Sequence, residues 1–208
     1  ALQKARSAAF FSHPDAGAEL AALPAANYLS PPATSSIAAY VDALRAALGD
    51  GAALANGMAY STRAIGNLAR PYFPDGIRTA PNGPFSKPFA QWSPFSTGLQ
   101  LDLAHDAIVA AAVGGMATGC TGLPKLANGL QIFAGGTPIY RSVGGVAQLA
   151  GAIGVSGDGI DQDDMIALLG LAQASRALGS GVGPAPAASR IDTVQTSGGR
   201  LRFVQCPQ

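Results

Sequence analysis

Apolar residues recur at helical spacing through most of the first 113 positions. Between Leu2 and Phe11, Leu2, Ala5 and Ala9 share one face, with Lys4 and Arg6 beside it. That helix ends at Ser12-His13-Pro14, because a proline disfavours helix in the residue before it. A short helix then starts with Pro14 at its first position and Leu20 and Leu23 as apolar points, leaving His13 as a surface residue of the capping region. Ser36 opens the clearest amphipathic helix, with Ile37, Tyr40, Val41, Leu44 and Leu48 at helical spacing and Gly49 as its stop. A further helix is predicted over 52–69, carrying Met58, Tyr60, Ile65 and Leu68 and ended by Arg70-Pro71. Another is predicted over 98–113, with Leu101, His105, Ile108 and Ala112 on one face. His105 therefore lies on an apolar stripe, either as a core histidine bonded to a backbone carbonyl or as a metal or haem ligand.

The period then shortens. Segments 130–133, 137–141 and 148–155 read as strands, and the links AGG and SVGG are hairpin-like, so the sheet is expected to be antiparallel. A helix over 161–178 follows, with Asp161, Asp163 and Asp164 in its first turn, where the helix dipole favours negative charge. Residues 179–189 read as a flexible Gly/Pro/Ala segment, and 191–194 is expected to pair with 200–204 through TSGG. Segment 71–97 holds six prolines and six aromatic residues and excludes regular structure. A loop of that length is expected either to fold over the chain's own core or to cover a neighbour.

Composition narrows the class. The 208 residues suit one large domain, and 48% are hydrophobic. Only 12% are charged, about half the usual share, so part of the surface is expected to lie against another chain. A net charge of +1 offers no footprint for nucleic acid or an acidic membrane. The weakly polar run 107–116 is too short to span a bilayer, and no signal peptide is visible. The chain opens inside a helical pattern without Met or a capping residue, which predicts a processed precursor or further upstream residues. Cys120 and Cys206 are expected either to form a disulfide tying the C-terminus to the body, in an oxidising compartment, or to be ordinary free thiols. They lack the spacing of a zinc site.

No motif specifies a reaction. The turn GVSGDG resembles a phosphate loop, but Asp158, Asp161, Asp163 and Asp164 crowd the place a phosphate would take. The same acids lack the alternating ligands and terminal Glu of a calcium loop, which leaves helix capping as their expected job. There is no GxSxG elbow, and only two histidines exist.

Four ordered blocks carry a family resemblance: KARSAAFF at 4–11, then GGTPIYR, GAIGVSG and DQDDMIALLG. They resemble runs of the GlcG/HbpS family of small haem-binding proteins, related to the C-terminal domain of PduO, in an extended extracytoplasmic branch. The resemblance implies an α/β (α+β) profilin-like sandwich, an antiparallel sheet flanked by helices, over 1–178. A long helical and aromatic insert would occupy 12–128, with a tail at 179–208. Two N-terminal strands of the family are missing from this chain. A second polypeptide, a cleaved N-terminal segment or a partner subunit is therefore expected to complete the sheet, within an oligomer. The resemblance also implies haem, with Lys4 and Arg6 near its propionates and Ser7 where the family has Thr. His105 and Tyr60 are candidate iron ligands on chemistry alone. The expected function is a non-enzymatic haem- or tetrapyrrole-binding protein, periplasmic or secreted. The alternative is a structural or accessory subunit that keeps the fold without a ligand.

Overall fold

A computed structural model describes residues 1–28, 34–70, 83–88, 91, 98–115, 119–179, 181–196 and 199–205. The fold is mixed, with helices around antiparallel sheets. Six helices are described: α1 (Leu2–Phe11), α2 (Ala16–Ala21), α3 (Ile37–Leu48), α4 (Thr62–Ala69), α5 (Leu99–Val113) and α6 (Ile160–Leu178). The main sheet has the order β4-β3-β5, from β3 (Gly136–Val143), β4 (Val146–Gly154) and β5 (Val182–Pro184). Two small hairpins join β1 (Ala26–Asn27) to β2 (Thr34–Ser35), and β6 (Gln195–Thr196) to β7 (Gly199–Arg200).

The β3–β4 hairpin forms as expected, and its register slips at one point. Ile139 faces Gly151 and Tyr140 faces Leu149, so Ala150 is an extra residue that bends β4. Helix α1 lies against β3 and β4, and α6 lies against β5 and β3. Helix α3 forms where its pattern predicts: Ser36 caps it through Ala39 N–H, and Gly49 closes it in the left-handed region at φ 62°. Phe11 sits at the centre of the core, its ring beside those of Phe10, Tyr60 and Phe85.

Four expectations are corrected. The helix predicted over 52–69 is only Thr62–Ala69. Asp50 accepts the Ala52 N–H, Gly57 turns the chain at φ 69°, and Ser61 then captures the Ala64 N–H to start α4. Residues 130–133 are not a strand, because side chains take their backbone groups. Gln3 and Gln100 donate to Leu130 O, Ser7 Oγ accepts from Gln131 N–H, and Gln131 Oε1 accepts from Ile132 and Phe133 N–H. The face of α5 that packs is Leu99, Asp102 and Leu103, not the predicted stripe, and Ile108 is 59% exposed. The last hairpin is shorter than expected, since 191–193 forms a 3₁₀ turn and 195–196 pairs with 199–200.

The segment read as a flexible linker supplies β5, which pairs with β3, and Ile191, Leu201 and Phe203 are buried in the core. Most of the aromatic loop, 71–82, 89–90 and 92–97, lies outside the described residues. Its described part includes Phe85, which is fully buried in this chain's own core. No described helix is long and apolar enough to cross a membrane.

Candidate functional site

Three places concentrate chemistry. The first is the N-terminal end of α6. Asp164 is fully buried and forms an ion pair with Arg63 of α4, itself fully buried, while Asp161 pairs with the same guanidinium. Asp164 also accepts from Gly135 N–H at 2.7 Å and Gln205 N–H at 3.2 Å. Burial pushes its carboxyl above the ordinary range, opposed by Arg63 and the two N–H groups. Beside it, Lys4 Nζ donates to Asp163 at 2.7 Å and to Val155 O at 2.8 Å. The helix-capping expectation is therefore corrected. No side chain caps α6, and two of its acids are instead buried clamps that bind α1, α4 and the 135 turn together.

The second place is Asp102 on α5. Its carboxylate accepts from Tyr28, Ser35 and Tyr40, and pairs with Lys87 Nζ at 2.6 Å. Burial, then the hydrogen bond to Asp102, raises the tyrosine pKa values of Tyr28 and Tyr40. Four donors satisfy one buried charge, fixing the β1–β2 hairpin, α3 and segment 83–88 to α5. The His105 ring lies 4.1 Å from that of Tyr28, and its Nδ1 is 2.7 Å from Asp106 Oδ1. A carboxylate only accepts, so Nδ1 is the donor in this contact.

The third place is the outer edge of the sheet. Among the described residues no strand pairs with the outer side of β4, which spans nine residues with no charge and no proline. β5, at the other edge, is three residues long and ends in Pro184, both features that blunt an edge. Val146 of β4 is 62% exposed, and its pairing partner Val143 at the end of β3 is 43% exposed. Between α1 and β4 runs a cleft of about 330 Å³ bordered by Arg6, Phe10, His13, Lys125 and Leu149.

The predicted ligand residues do not converge on one spot. Lys4 is occupied by Asp163, and Ser7 Oγ bridges Gln3 O and Gln131 N–H. Arg6 donates to Asn128 and borders the cleft. Tyr60 is fully buried; its hydroxyl makes no hydrogen bond among the described residues, and burial raises its pKa. His105 stands on α5, among the Asp102 group. Cys120 is an exposed thiol, and Cys206 lies outside the described residues. His13, Asp15 and Glu19 bring an imidazole nitrogen and two carboxylates within 4.8 Å of one another, but Glu19 already pairs with Lys125 and His13 Nδ1 accepts from Asp15 N–H. Arg63 and the Asp102 group escape sequence reasoning. One signal was available: in a chain so poor in charge, acids gathered within seven residues need buried cations. No protein-family model, curated protein or solved structure matches the chain.

Proposed function

We propose that this chain is a subunit of a larger assembly, in which β4 accepts a strand from a second polypeptide. The observation that carries this reading is the nine-residue, uncharged outer edge of β4, unpaired among the described residues. A row of unpaired N–H and C=O groups is a template for another strand, and soluble proteins usually blunt it with charge, proline or brevity. β5 is blunted; β4 is not. The low charge content of the chain agrees with a surface partly covered by a neighbour. The GlcG/HbpS resemblance agrees with a wider antiparallel sheet than the three strands β4-β3-β5. The native mass of the purified protein tests it. The expected result is a complex heavier than the 20.8 kDa chain, dissociated by Ala150→Lys with the circular dichroism of the fold unchanged. A monomeric wild type would overturn the proposal.

A second reading, haem or tetrapyrrole binding, draws on one observation. Asp106 fixes the His105 tautomer that leaves Nε2 able to ligate iron, the arrangement in which an acid orients a metal-bound imidazole. His105 fits such a role, whereas Tyr60 is fully buried and Lys4 and Ser7 are engaged within the fold. Haem titration of the wild type and His105→Ala tests this: a Soret band lost in the variant supports it, and no band in the wild type ends it.

A further inference from the structure

We propose that the outward face of α6 is an interface between two copies of this chain, packed antiparallel about a two-fold axis. Gln162, Ile166, Leu169, Gly170, Gln173 and Ala177 are all exposed, on the half of the helix turned away from the buried Asp164, Ala167 and Leu171. Ile166 is 55% and Leu169 51% exposed, and none of the six is charged. Gly170 stands out among them. It lies in regular helix, and a Cβ added there would meet nothing within 4 Å. A glycine in mid-helix weakens the helix relative to alanine, and no neighbour among the described residues requires one here. Close approach of a second backbone does.

Two observations select a second copy as the occupant. The first is the order of residues along the face. An antiparallel copy crossing midway between Leu169 and Gly170 sets Leu169 of each chain over Gly170 of the other, Ile166 against Gln173, and Gln162 against Ala177. The helices then cross closely where the glycine leaves room. The second is charge. Around the N-terminal end of α6, Asp158, Asp161, Asp163 and Asp164 outnumber Lys4, Arg63 and Arg202 by one, Arg202 reaching that end through Gln205. Beyond Asp164 the helix carries no acid, and Arg176 is exposed with no ion-pair partner among the described residues. In the antiparallel pair Arg176 of each chain lies beside the first turns of the other helix, so unlike charges meet at both ends. One helix face is smaller than the roughly 1,200 Å² of a permanent interface, so the dimer should depend on concentration. This interface does not require strand addition at β4.

The test is sedimentation velocity over a wide range of concentration, on the chain carrying Ala150→Lys so that no strand partner is bound. A species of two chains should grow as concentration rises. Leu169→Glu should lower the association constant at least tenfold. Gly170→Leu should do the same, although it adds apolar surface, because it closes the crossing point. Both sites are exposed, and thermal melts followed by circular dichroism should show both variants folded. A single chain at every concentration, association unchanged in Leu169→Glu, or association strengthened by Gly170→Leu would each overturn the proposal. Failure of the strand-acceptor reading is separate: it would show as a native mass that Ala150→Lys leaves unchanged.

Discussion

Replacing Arg63 by Met removes the cation from the buried clamp while keeping much of its volume. Asp164 would then keep only the N–H groups of Gly135 and Gln205, in a site from which water is excluded. Removing one partner of a buried ion pair costs about 3–5 kcal/mol, because the remaining charge is desolvated and uncompensated. Domains are stable by about 5–15 kcal/mol, so the loss is a large fraction of the total. At about 2–4 °C per kcal/mol for a chain of this size, the melting midpoint should fall by about 6–20 °C. Calorimetry and urea unfolding would measure it. The sign of the pH response follows from Asp164. Arg63 lowers its pKa in the folded state, so the variant's folded pKa is higher still. The folded variant then takes up a proton before the unfolded chain does, and its stability deficit should shrink as pH falls through that raised value. Adding Asp164→Asn should recover part of the loss, with a coupling of at least about 1 kcal/mol. Loss below about 1 kcal/mol, or additivity of the two substitutions, would refute the view of Arg63 and Asp164 as one clamp.

Asp102→Asn, which removes the charge that pairs with Lys87 and weakens the bonds from Tyr28, Ser35 and Tyr40, should cost about 2–4 kcal/mol in urea unfolding; a change under about 0.5 kcal/mol would remove the hub. The folded pKa values of Tyr28, Tyr40, Tyr60 and Tyr140 all lie above the ordinary 10.0, so the folded state holds these protons longer than the unfolded chain. Stability should therefore fall as pH rises past 10, and absorbance near 295 nm should show these phenols ionising only with unfolding.

What was legible in the sequence was local. The β3–β4 hairpin, α1, α3 and α6 follow from short-range periodicity and turn chemistry, because each buries one face over consecutive turns. The losses came where a side chain distant in sequence captures the backbone. Leu130 and Ile132 have the apolar character of a strand, yet Ser7, Gln3 and Gln100 take the hydrogen bonds of that segment. Met58 and Tyr60 have helical spacing, but Asp50 and Ser61 organise a turn and a cap there instead. On α5, the bonds converging on Asp102 outweigh a predicted stripe of small and apolar residues. The candidate site suffered the same way. Lys4, Ser7 and Arg6 share α1, yet only Arg6 borders the cleft, since burial commits the other two to partners more than 120 residues away.

Hydrogen exchange along β4, measured in the native assembly and again after dissociation, bears most directly on the strand-acceptor account. With a strand added at β4, the outward amides of Val146–Gly154 should exchange as slowly as those of β3 in the assembly, and become fast when the chain is isolated. Fast exchange of those amides in the assembly, with β3 still protected, would contradict it.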